Sequence, residues 1–231
     1  MSNNANGNDS RTIPSNARGD RTRDRLLDAL EAIAFDGGIG ALSHRAIARH
    51  AQLHTGLIHY HFGTIEHLLE EALARRAARF SQAQLAAISA LLAQGRWTVE
   101  DIVGALWQPF SVLGGALDGG WRNYLCLVAR LGNDERGEKL LARYFDDVAR
   151  AAERALRTAL PDADDESLRT GMRFTRALFE QESLARCRRG YPAERRLLDN
   201  PRIVSFAAAG IRELAGRAQA ASLFPLRASA G

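Results

Sequence analysis

Lysine is almost missing from this chain: Lys139 is the single lysine among 31 basic residues, so its cationic character is arginine throughout. A uniform preference of that kind carries no functional message. Cysteine is scarce, with Cys126 and Cys187 alone in 231 residues, and no apolar leader opens the chain, so neither a disulfide framework of the secreted type nor a signal peptide is indicated. The expectation is a cytoplasmic protein whose two thiols are reduced and structural. The most apolar stretch, Ile102–Leu117, is interrupted by Gln108, Pro109 and Ser111 and falls short of the ~20 residues a membrane span requires. It reads as a buried core helix, and no membrane partner is expected. There is no phosphate-binding Gly-Lys-Ser/Thr loop, no Gly-x-Ser-x-Gly elbow and no Cys/His metal spacing, so no catalytic residue, metal or cofactor is assigned.

Strand-type alternation and fixed-period repeats are also lacking. Between Pro14 and Pro109 there is no proline, while Ala, Leu, Arg and Glu dominate; interior proline breaks helices and these residues favour them, so the span reads as successive helices. The fold class is all-α. Hydrophobic residues at 46% and charged residues at 25% are ordinary globular values. A net charge of +4 and a pI near 9.6 permit an acidic partner without specifying one.

Residues 1–20 are polar, lack hydrophobic period and read as a disordered tail. Leu26, Leu27, Leu30, Ile33 and Ala34 share one helical face, which predicts a first helix over about 21–36, closed by Gly37-Gly38. Ser43 is a good N-cap for a short helix to about His50, and a second short helix covers about 55–62. A long helix follows over about 64–94, stopped by Gly95, and others are expected at about 98–113, 120–132, 136–160, 164–188 and 201–216. Pro109 should kink or end its helix near Gln108.

Residues 43–62 have the layout of a helix-turn-helix. Small Ala48 and Ala51 let two helices cross closely, Leu53 plugs the turn, and Ile58 and Phe62, four apart, anchor the second helix inward. That second helix is ~12 Å long at 1.5 Å per residue, a match for a major groove roughly 12 Å wide. Three groups of residues make residues 21–69 resemble the DNA-binding domain of the TetR family of bacterial regulators: the opening Arg23-Asp24-Arg25-Leu26-Leu27-Asp28-Ala29, the core Ala46-Ile47-Ala48, and Gly56-Leu57-Ile58-His59-Tyr60-His61-Phe62-Gly63-Thr64 with Glu66 and Leu68-Leu69. The resemblance implies a head at 21–65 and a helical ligand-binding and dimerisation domain at 66–231. It implies a homodimeric repressor on double-stranded DNA with a palindromic operator, released by an unidentified small hydrophobic effector.

On that resemblance, DNA contact is expected from Ser43, His44, Arg45, Thr55, Gly56, Leu57, His59, Tyr60, His61 and Thr64. Thr55, Leu57, His59 and Tyr60 have the chemistry to read base edges, whereas Arg45 and His61 would position the duplex. Three residues depart from the family pattern: Gln52 for a turn glycine, His54 for serine, and Ile65 where a lysine commonly touches phosphate. With no basic residue other than histidine from His50 to Ala74, phosphate attraction is expected from Arg45, Arg49 and an arm of Arg11, Arg18, Arg21, Arg23 and Arg25. All six histidines lie between His44 and His67, and side chains with an ordinary pKa of ~6.5 add positive charge as pH falls. A metal site among them is not supported, because His59 and His61 point apart on a helix and His50 and His54 straddle a turn.

Trp107, Phe110, Trp121, Tyr124, Leu125, Phe145, Phe174 and Leu178 form an aromatic-rich set from which a cavity lining is expected, about half of them core instead. The helices over 164–188 and 201–216 carry Leu168, Met172, Thr175, Leu178 and Phe179, and Phe206, Ala207, Gly210 and Leu214; the resemblance implies that they and their twofold mates form a four-helix interface. The competing classes are a small helical enzyme acting on an apolar substrate and an adaptor that binds protein alone.

Overall fold

Helices in this chain begin and end where local chemistry supplies partners for their exposed backbone groups. A computed structural model describes residues 15–115, 119–186 and 201–217. Among these described residues there are nine α-helices, one 3-10 turn and no strand. The helices are α1 (Ser15–Gly37), α2 (His44–Ala51), α3 (Gly56–Phe62), α4 (Ile65–Leu92), α5 (Val99–Gly115), α6 (Gly119–Leu131), α7 (Glu135–Ala159), α8 (Asp165–Arg186) and α9 (Pro201–Arg217). Ser43 caps α2 by accepting from the Ala46 amide at 3.1 Å, and Thr64 caps α4 from His67 at the same distance. At α5, Thr98 and Asp101 cap each other reciprocally, and Asp164 accepts from the Ser167 amide at 2.8 Å to open α8. Those bonds hold the Asp164 carboxyl below its usual range, so the acidic stretch before α8 serves as a cap. Gly63 and Gly95, at φ 73° and 75°, end α3 and α4 at a positive φ that glycine reaches without a Cβ clash.

Two helices differ from expectation. α1 starts at Ser15, so residues 15–20 are helical rather than tail; residues 1–14 lie outside the described ones. Pro109 sits inside α5 without ending it. Proline removes one rung of the ladder, and close by, the Gln84 amide of α4 donates to the Leu106 carbonyl at 3.0 Å.

A single hydrophobic cluster runs from α1 through α9. The head docks on α4 and α6: Arg130 donates to the Phe35 carbonyl at 3.1 Å and Arg122 lies 4.8 Å from the Phe35 ring centre. Between α8 and α9 the approach is close enough that a Cβ on Gly171 would stand 2.9 Å from Ile211. Cys126, buried in α6, is disulfide-bonded, which corrects the expectation of a reduced thiol; Cys187 lies outside the described residues. A bridge depends on how near two Cα atoms come in space, which spacing along the chain does not reveal. Among the described residues no helix is long and apolar enough to cross a membrane.

Candidate nucleic-acid interface and ligand cavity

In the head, Ile47, Ala48, Ala51, Ile58 and Phe62 are buried where α2 and α3 meet α1 and α4. The turn between them closes with the Leu53 amide donating to Ala48 at 2.9 Å. Gln52 takes the left-handed conformation there, at φ 53° and ψ 47°, and is the one non-glycine residue with positive φ among the described residues. His54, standing where the family has serine, uses its Nδ1 to accept from the Gly56 amide at 3.1 Å. It does the capping work at the start of α3, and the Thr55 side chain makes no capping bond.

Two of the arginines expected to reach phosphate are engaged elsewhere. Arg25 donates to the carbonyls of Ala51 and Gln52 at the end of α2. Arg23 donates to the His61 carbonyl at 3.1 Å, lies 4.6 Å from the Phe62 ring centre and pairs with Glu71 at 3.1 Å. The last carbonyls of a helix have no intrahelical donor and favour a cation, so these side chains brace the two helices from α1. Arg21, Arg45 and Arg49 are exposed; Arg11 and the Arg18 side chain lie outside the described positions.

Tyr60 is the most exposed large hydrophobic side chain of the head, at 81%. His59 is exposed as well; its ring stacks on His44 at 4.6 Å and its Nδ1 stands 3.0 Å from the Gly63 carbonyl oxygen. The buried Nε2 of His44 has no hydrogen-bond partner. His61 is half-buried edge-on to Tyr60, and Leu57 is half-buried against the core. Ser43 and Thr64 accept backbone amides as caps. The ten residues expected at DNA therefore lie along α2, α3 and their flanking caps, with Ser43, Arg45, Gly56, His59, Tyr60 and Thr64 exposed.

Behind the head, α4, α5, α6, α7 and α8 enclose a cavity of about 490 Å³. Of the eight residues expected to line it, Phe110, Leu125 and Phe145 do so, beside Phe80, Leu106 and Phe179, which sequence reasoning missed. Phe80 meets Phe110 and Phe145 edge-on at 4.6 and 5.8 Å. Trp107 is buried one layer back, stacked on Phe110 at 5.4 Å and tilted against Phe179 at 4.0 Å. Trp121 and Tyr124 instead lie beneath Arg76 and Arg79, facing the seam with the head, and the Tyr124 hydroxyl donates to Leu73 at 3.1 Å. Phe174 is 54% exposed and Leu178 packs on the core without reaching the cavity. Met172, Thr175 and Phe179, expected at an interface between copies, line the cavity. Both faces of α8 carry apolar residues, so spacing alone could not say which one turns inward.

Four buried polar residues line the cavity from α4 and α8, Gln84, Thr175, Glu180 and Ser183, beside the less buried Arg169, Arg173 and Arg176 of α8 and Glu138, Asp146 and Glu153 of α7. Thr175 and Ser183 donate to the Gly171 and Phe179 carbonyls of their own helix at 2.9 and 2.8 Å. Glu180 is buried, 3.2 Å from the half-exposed Arg176 Nε, and burial pushes its carboxyl above the ordinary range despite that neighbour. No sequence signal marked Glu180, which sits in a polar run that reads as surface. Among the described residues no group of three His, Cys, Asp or Glu is placed to hold a metal ion.

The seam between head and body holds a second cluster. Glu31 of α1 is 1% exposed and bonds Arg76 of α4 at 2.6 Å, with Arg75 at 3.8 Å. Desolvation outweighs both arginines and pushes its carboxyl up to about 7. α4 thus touches three things in turn: the end of α3 through Thr64, the head through Arg75 and Arg76, and the cavity through Phe80 and Gln84.

Residues 26–72 match the family described as bacterial regulatory proteins, tetR family, and residues 104–210 match the tetracyclin repressor-like C-terminal domain. A curated relative, the HTH-type transcriptional repressor KstR of Rhodococcus jostii (strain RHA1), is 42% identical over 67 residues, 29% of this chain and 31% of that protein. The chain thus matches less than a third of the length of that relative. Among solved structures, a transcriptional regulator from Rhodococcus sp. Rha1 aligns with TM-score 0.52 at 18% identity, over 83% of this chain and 96% of that one. The multidrug binding protein EbrR complexed with malachite green aligns with TM-score 0.52 at 22% identity, over 84% and 97%. These two likenesses show the fold.

Proposed function

The chain belongs to the TetR family of bacterial transcriptional regulators, and from that footing we propose that it is a homodimeric repressor of a palindromic operator, released by a small hydrophobic molecule in the α4–α8 cavity. The observation that carries the reading is the path of α4. Its N-cap follows α3 by two residues, and the same helix presents Phe80 and Gln84 to the cavity. A ligand moves an equilibrium only by its differential affinity for two states; a group wedged against Phe80 has such an affinity if α4 shifts. The repressor sense draws on KstR, and a small-molecule effector draws on EbrR, which binds malachite green. The enzyme and adaptor alternatives find no support in the family.

Tyr60, His59 and Thr55 would read base edges, with Arg45, Arg49 and the amide end of α3 on phosphates. The test is fluorescence polarisation of the purified protein with duplexes from its own upstream intergenic region at two salt concentrations. One fragment should bind as a dimer, far above the others and more weakly at high salt. Tyr60→Ala, at an exposed position, should cost that fragment about 1–3 kcal/mol. Weak and equal binding of every fragment would argue against the reading.

A further inference from the structure

From the cavity's polar groups we infer that the effector is a hydrophobic amine: an aromatic-sized apolar body whose protonated nitrogen pairs with the Glu180 carboxylate. This deepens the reading of the cavity as an effector site and rests on it. The wall is apolar and aromatic, built from Phe80, Phe110, Phe145 and Phe179. Of the four acids that line it, Glu138 and Asp146 are exposed and Glu153 is half-buried, and Glu180 alone is buried. Among the described residues Arg176 is its only ion-pair partner, and Arg176 itself is 50% exposed. A buried carboxylate that shares its one cation with solvent gains more from a desolvated ammonium than any neutral wall atom would.

The three other buried polar residues of the wall point the same way. Thr175 and Ser183 spend their hydroxyl protons on helix carbonyls, and Gln84 turns its amide nitrogen to Leu106. They turn protons away from the cavity, which favours a ligand that donates. The two other arginines along the wall are engaged outward, Arg169 near Glu166 and Arg173 over the exposed Phe174. The carboxylate also has a space made for it: a Cβ on Gly132 would stand 2.0 Å from Glu180 Oε1.

The experiment is titration of the full-length protein, with intrinsic tryptophan fluorescence as readout because Trp107 stacks on the wall. Three probes of similar bulk are compared: imipramine, a tricyclic amine; carbamazepine, a neutral tricycle; and a tricyclic carboxylic acid. The amine should bind at least tenfold more tightly than either of the others. Glu180→Gln should remove that preference while leaving carbamazepine unchanged, and Arg176→Gln should keep or sharpen it. Gly132→Ala, which retains the carboxyl group but crowds it, should weaken the amine selectively even if Glu180→Gln folds poorly. Equal affinity for amine and neutral probe, preference for the acid, or no binding of any probe to a folded protein overturns the inference. Operator binding is measured in parallel on the same preparation: its failure would count against the regulator reading, whereas intact operator binding without amine preference would count against this one alone.

Discussion

At the scale of the residue, the departures from the family pattern have separate physical outcomes. Gln52 holds a left-handed backbone that glycine adopts freely; for a residue with a Cβ this costs roughly 1–2 kcal/mol, while glycine returns about 0.4–1 kcal/mol of that through its freer unfolded chain. Gln52→Gly should therefore gain about 0.5–1 kcal/mol and raise the thermal midpoint by roughly 2–3 °C, measured by circular dichroism. A lower midpoint would mean that the exposed glutamine side chain contributes more than the strain it imposes. The glutamine was legible as an oddity in the sequence, and its cost follows from the turn. His54 was legible only as a substitution, because its use as a cap depends on an Nδ1 geometry that spacing does not contain. Arg23 and Arg25 looked like free cations for the same reason: which carbonyls lie within reach is decided by how α1 crosses α2 and α3.

At the scale of the element, helix order was almost fully readable, since capping residues, glycines and apolar spacing are local signals. The start of α1 was not, because the stretch Ser15–Asp20 has no apolar period to reveal it. The inward face of α8 was not either, and with it went Glu180, Phe179 and Met172. The contact between α1 and α4 has a pH signature. Glu31 is fully buried with its carboxyl raised from 4.5 to about 7. The folded chain holds that proton more tightly than the unfolded chain, so the stability it confers is complete below about pH 4.5 and lost progressively as pH rises to about 7. Glu31→Gln removes this dependence: relative to the unaltered protein its midpoint should rise steadily between pH 5 and pH 7, by an amount equivalent to at most about 3 kcal/mol at ~1.4 kcal/mol per unit. A difference that does not vary with pH would show that Arg75 and Arg76 keep Glu31 ionised throughout.

At the scale of the whole molecule, the described surface leaves Phe206 68% and Phe174 54% exposed, on α9 and α8. Large apolar side chains at such exposure mark a surface that association would cover. For the proposed homodimer, Phe206→Glu should give a monomer in size-exclusion chromatography with light scattering and weaken operator binding with it; a persisting dimer would place the interface elsewhere. The all-helical architecture was legible from the sequence, whereas the shape of the cavity, made by five helices from distant parts of the chain, was not. α4 runs for 28 residues without glycine or proline, and at 1.5 Å per residue about 24 Å separates Thr64 from Phe80. Over that span a tilt of about 5° carries the Thr64 end sideways by about 2 Å. In the proposed homodimer, doubling across the twofold axis makes this about 4 Å, slightly more than the 3.4 Å step between base pairs. On that reading a tilt of a few degrees in one helix is enough to put two reading heads a full base pair out of step.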